Sequence, residues 1–134
     1  MLYTSYFSFV QKIPPEFLVS VAGRAPAGFA GAEYRKLAPK YEWWRQWHDQ
    51  KLADAWYIEK YYETVLSKLN PREVLRDLDG KIILCWETPE KFCHRHLVAE
   101  WLNKNAGASV LKLSAADRLA PLLPKGNVAF LFLC

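Results

Sequence analysis

The sequence predicts one compact α/β domain over residues 1–134, with a mostly parallel central sheet of about five strands flanked by helices. Strand-like runs rich in aromatic and β-branched residues alternate with helical patterns along most of the chain. The run Lys81–Trp86 (KIILCW) is almost continuously apolar, the pattern of a central strand covered on both faces. With 134 residues, 51% of them hydrophobic, the chain can build a core without disulfide or metal staples.

The elements follow in order. Residues 3–10 (YTSYFSFV) form a first strand that Ile13-Pro14-Pro15 stops, and Phe17–Ala22 form a second. Residues 23–40 turn to Gly, Ala, Pro and basic residues without a sustained period, and read as one long loop carrying Arg24, Arg35, Lys36 and Lys40. Tyr41, Trp44, Trp47, His48 and Lys51 then recur at helical spacing, with one of Trp44 and Trp47 expected buried and the other partly exposed. In the next helix Ile58, Tyr61, Tyr62, Val65 and Leu69 mark the apolar face. Asn70-Pro71-Arg72-Glu73 supplies an N-cap, a proline in the first turn and an acidic N3 for a helix that Gly80 ends. After KIILCW, Thr88-Pro89 caps a turn into a helix that starts at Cys93 and ends at Asn105–Gly107. A strand over Ser109–Leu113, a short helix opened by Ser114–Asp117 and a buried strand over Val128–Leu133 complete the chain.

Charge and segment lengths narrow the classes of function. There are 18 Lys plus Arg against 14 Asp plus Glu, a net +4 that favours an anionic small molecule or nucleic acid as partner. No apolar run approaches the roughly 20 residues of a membrane span, and the N-terminus lacks a basic region and a cleavage site, so the expectation is a cytoplasmic chain without a membrane partner. Three cysteines at 85, 93 and 134 make no disulfide framework.

Chemistry concentrates where the central strand ends. Cys85 and Glu87 lie at its carboxyl end, and Cys93, His94 and Arg95 open the next helix, where free N–H groups and the dipole attract anions. Glu87, Cys93 and His94 are the candidate catalytic residues. Arg95 is the candidate anion ligand, read as partly exposed, and Tyr3, Ser5, Tyr6, Cys85 and Arg24 complete the candidate pocket. The helix start favours a thiolate at Cys93, yet a small buried cysteine closing a turn has the same sequence signature, as does a His94 that hydrogen-bonds a carbonyl. A metal is not expected, because the spacing C-x7-C with two flanking histidines lacks the close pairs that let ligands converge. No other cofactor is expected either. Lys91 stands where a phosphatase-like cysteine loop needs arginine, and Gly23-x4-Gly28 lacks the Lys-Ser/Thr of a P-loop.

The segment Cys85-Trp86-Glu87-Thr88-Pro89-Glu90-Lys91-Phe92-Cys93-His94-Arg95-His96-Leu97-Val98-Ala99 resembles the bacterial and phage family called domain of unknown function 488. That family's pattern reads L-C-[YFW]-E-x-x-P-x-x-C-H-R-x-L-[LV]-A. Tyr3–Phe7 and Leu37–Lys40 are similar to a subgroup of it, so the resemblance covers nearly the whole chain; Pro89 sits one place earlier than in many members. The resemblance implies a compact α/β domain, a cluster of Cys85, Glu87, Cys93, His94 and Arg95, and a nucleotide or nucleic-acid ligand. Two readings stay open: an enzyme on a phosphate-bearing nucleotide, nucleoside or nucleic-acid base, and a non-catalytic module that binds nucleic acid or a phospho-ligand.

Overall fold

Ile82–Cys85 is buried along its whole length, and it occupies the centre of the sheet as its apolar run predicts. The computed structural model describes residues 2–10, 12–87 and 91–113. Its strands are β1 (Tyr3–Tyr6), β2 (Leu18–Ser20), β3 (Ala32–Glu33), β4 (Ile82–Cys85) and β5 (Leu111–Lys112). They lie in the order β3-β2-β4-β1-β5, and every pairing is parallel. The helices are α1 (Tyr41–Asp49), α2 (Asp54–Thr64), α3 (Pro71–Leu78) and α4 (His94–Ala106).

Among the described residues the sheet has five strands, one of them unexpected. Ala32–Glu33, inside the segment read as loop, pairs with β2, and Arg35–Leu37 forms a 3-10 turn. Two residues are too few to show an alternation, so only a neighbouring strand defines β3. The first strand stops at Tyr6, where Phe7–Phe9 turn into a 3-10 helix. The helix expected at Ser114–Asp117, the strand at Val128–Leu133 and the cap at Thr88-Pro89 lie outside the described residues.

Strand alternation sorts the core into two layers. Val19 and Ile83 face the helices, joining Trp43, Tyr57, Tyr61, Val74, Leu78, Val98 and Leu102. Tyr3, Leu18, Ile82 and Leu84 face the other way, onto Val10, Ile13 and a rim of Phe7, Phe9, Phe17 and Phe29. Asn70 caps α3 as expected, its side chain accepting from Arg72 N–H at 3.0 Å. Gly107 closes α4 at φ 65°, the left-handed conformation that favours glycine.

The helical faces differ from the sequence reading. Trp43 is the buried residue of α1, Trp44 and Trp47 are both half-buried, and Tyr41 and His48 are exposed. In α2, Tyr57 and Tyr61 are buried while Ile58 and Tyr62 are only partly so. Trp-rich amphipathic patterns leave several faces nearly equally apolar, and the packing against the sheet selects among them. Among the described residues no helix is long and apolar enough to cross a membrane.

Candidate functional site

β1, β2 and β4 end together, Tyr6 opposite Cys85 and Ser20 opposite Leu84, so their carboxyl ends share one edge of the sheet. In parallel α/β sheets that edge, where the chain departs in different directions, is where ligands bind. Here it opens into a cleft of about 1200 Å³. Cys85, Glu87, Cys93 and His94 line it, with Arg24, Arg35 and Lys40 from the segment after β2 and with several aromatic rings.

Cys85 is the last residue of β4 and Cys93 is the N-cap of α4. Ser, Thr, Asn or Asp would stabilise that position by about 1 kcal/mol through a bond to a free N–H, and Cys93 makes no such bond. Its sulfur lies 3.8 Å from His94 Nδ1, and Cys85 Sγ lies 3.8 Å from the same nitrogen. Both thiols and His94 are buried. His94 Nε2 is 2.6 Å from the Val21 carbonyl oxygen, which can only accept, so Nε2 carries the proton and donates. The neutral ring therefore presents the lone pair of Nδ1 to both sulfurs. The Cys85 thiol also reaches Glu87 Oε2 at 3.3 Å.

The charges are coupled. Burial works against a charged Cys93, but the Cys85 thiol, His94 and Arg95 outweigh it and hold Cys93 well below the ordinary thiol range. Cys85 moves the other way, because its hydrogen bond to Cys93 and its burial keep the proton on it. Burial, then the negative charge of Cys93, raises Glu87. Burial disfavours a charged His94, yet the hydrogen bond and charge of Cys93 with the Val21 carbonyl raise it overall. A thiol held towards its thiolate form beside an imidazole and a carboxyl is what nucleophilic, acid–base or metal-binding chemistry requires.

Not every candidate joins this cluster. Arg95 is 1% exposed rather than partly exposed, does not line the cleft, and leaves Nη1 without a partner among the described residues. It opens α4 one position after His94, and a step of about 100° around the helix turns it away from the cysteines. Tyr3 and Ser5 are buried, and Tyr6 packs on Phe9, so none of the three reaches the cleft. Against the expectation from their spacing, the cysteines and the histidine converge: the ligand atoms of Cys85, Cys93 and His94 all lie within 4.8 Å of one another. The start of α4 packs against the end of β4, which a separation of eight in the sequence does not reveal.

Trp86 and Tyr41 are the aromatic lining that the sequence reading missed, whereas the Trp-rich helix offers a stacking surface in that reading too. Trp86, read as the end of a buried strand, is 53% exposed, donates Nε1–H to the Arg24 carbonyl at 2.9 Å and lines the cleft. Tyr41, 61% exposed, also lines the cleft and stacks on Trp44 at 6.2 Å and 22°. Trp47, whose buried indole N–H has no partner among the described residues, and Phe92 complete the wall beside Tyr57. A tryptophan directly after a central strand was the available signal, since that position belongs to the ligand edge.

Fold and site together define a parallel α/β protein with a thiol–imidazole–carboxyl cluster at the carboxyl edge of its sheet. The chain belongs to the DUF488-N3a family, the active DUF488-N3 subclade, whose family model matches residues 14–106. No curated protein and no solved structure matches the chain significantly.

Proposed function

We propose that the chain acts on a phosphate-bearing nucleotide, nucleoside or nucleic-acid base held in this cleft. The observation that carries the reading is the convergence of Cys85, Glu87, Cys93 and His94 in a cleft of about 1200 Å³ with Arg24, Arg35 and Lys40 in its walls. The rings of Tyr41, Trp44 and Trp86 offer flat surfaces for a base, and the cations attract phosphate. Glu87 is the acid or base and the Cys93–His94 pair assists it, at one end of a ligand whose phosphate lies towards the cations.

Mass spectrometry of small molecules released from freshly purified protein tests the ligand class. A nucleotide or nucleoside is expected, and turnover of it is expected to fall by roughly 10² to 10⁴ in Glu87→Gln with affinity retained. Undiminished turnover removes Glu87 from the mechanism. The exposure of Tyr41 and Trp86 favours, as a second reading, a module that binds nucleic acid without chemistry. An empty preparation that binds single-stranded oligonucleotide and leaves it unchanged would establish that reading instead.

A further inference from the structure

We propose that Cys85, Cys93 and His94 form a zinc site at the floor of the cleft, with two sulfurs and Nδ1 as ligands and the remaining position open to the ligand. Geometry carries this. Zinc holds sulfur at about 2.3 Å and imidazole nitrogen at about 2.0 Å, so tetrahedral coordination separates S from N by roughly 3.6 Å. Both observed S–N separations are 3.8 Å, and all three ligand atoms lie within 4.8 Å of one another. Tetrahedral coordination also sets two sulfurs roughly 3.8 Å apart, so the set closes by a few tenths of an ångström at each S–N pair and by no more than about 1 Å between the sulfurs.

A second feature concerns the far side of the ring. A histidine that binds a metal through one nitrogen donates its other N–H to a fixed acceptor, and His94 Nε2 does so to the Val21 carbonyl at 2.6 Å. Charge also balances. With both sulfurs deprotonated in the bound state, two thiolates, a neutral imidazole and Zn²⁺ sum to zero, which a buried site tolerates. Two sulfurs and one nitrogen select zinc over magnesium or calcium, which take oxygen ligands. Three protein ligands with an open position are the arrangement of a catalytic rather than a structural zinc, and Glu87, 3.3 Å from Cys85 Sγ, shares the same floor. The inference rests on the proposed function only in giving the ion a ligand; the coordination stands apart from it.

The test is elemental analysis of full-length protein purified without chelator from zinc-supplemented medium, with cobalt replacing zinc in a second preparation. About one zinc per chain is expected, with sulfur-to-cobalt charge-transfer absorption and the intense visible bands of a tetrahedral site. Cys85→Ser and Cys93→Ser are expected to weaken zinc binding by at least about tenfold, and Glu87→Gln to retain it. Since the cysteine variants could fail to fold, the cobalt spectrum of the unmutated protein decides independently. No retained zinc together with no charge-transfer band overturns the site, and so does full zinc binding by a folded Cys85→Ser, Cys93→Ser double variant. A zinc-loaded protein that neither binds nor turns over nucleotides would sink the proposed function and leave the metal site standing.

Discussion

His94 takes its orientation from the Val21 carbonyl, 73 residues earlier in the chain, and that single bond decides which nitrogen faces the cysteines. Its type and its neighbours were legible in the sequence; its tautomer was not. Arg95 makes the complementary point, since a charge next to a reactive cluster was expected in the cleft and is instead enclosed beside it. Its stem is buried while Nη1 has no partner among the described residues, so Arg95→Met, which keeps most of the stem volume, is expected to destabilise the fold less than Arg95→Ala. Urea denaturation of both variants measures the difference, and equal midpoints would show that the stem contributes nothing. Gly31 is constrained by close approach. A Cβ there would come 2.6 Å from the Leu18 carbonyl oxygen, a backbone atom of β2, and 2.5 Å from Phe29 Cζ. Gly31→Ala should therefore cost about 1–3 kcal/mol, seen as a lowered thermal midpoint with unchanged α-helical content.

Short-range signals located the helix starts and ends because caps are local. Asn70 and Gly107 do at α3 and α4 what their residue types imply, and Asn70→Ala is expected to cost about 1 kcal/mol in chemical denaturation. Helix faces were less legible. In α1 the sheet side selects Trp43, which leaves Tyr41, Trp44 and His48 as a stacked row, with Trp44 and His48 rings 5.1 Å apart at 16°. That row begins at the cleft, and Trp86 follows β4 at the same edge. If the rings receive a base, Tyr41→Ala and Trp86→Ala should each weaken binding by about 1–3 kcal/mol in a fluorescence titration. Both side chains are largely exposed, so their thermal midpoints should barely move. Unaltered binding in both variants would assign the row to the helix surface alone.

Across the whole molecule, the late strand β4 inserts between β1 and β2, and this brings segments distant in sequence to a common edge. Arg24, Arg35 and Lys40 reach the cleft from the β2–α1 connection, while the cysteines arrive from β4 and α4. Three cations imply a limited electrostatic contribution. Binding of single-stranded oligonucleotide should fall with salt at a log–log slope no steeper than about −2. A much steeper slope, read from titrations at several ionic strengths, would show that phosphates contact a wider surface than this cleft.

The run KIILCW was enough to place β4 at the centre of a parallel sheet, because a strand buried on both faces needs apolar residues at every position. The pattern from Cys85 to Arg95 likewise identified the reactive residues, since their chemical types are written in the chain. Only the tertiary structure decided that Cys85, Cys93 and His94 meet, that Arg95 does not line the cleft, and that Trp86 and Tyr41 form its rim. Those outcomes depend on where a strand end, a helix start and a loop pack against one another. Separation along the chain carries no information about that distance once a sheet has brought its parallel strands to one edge.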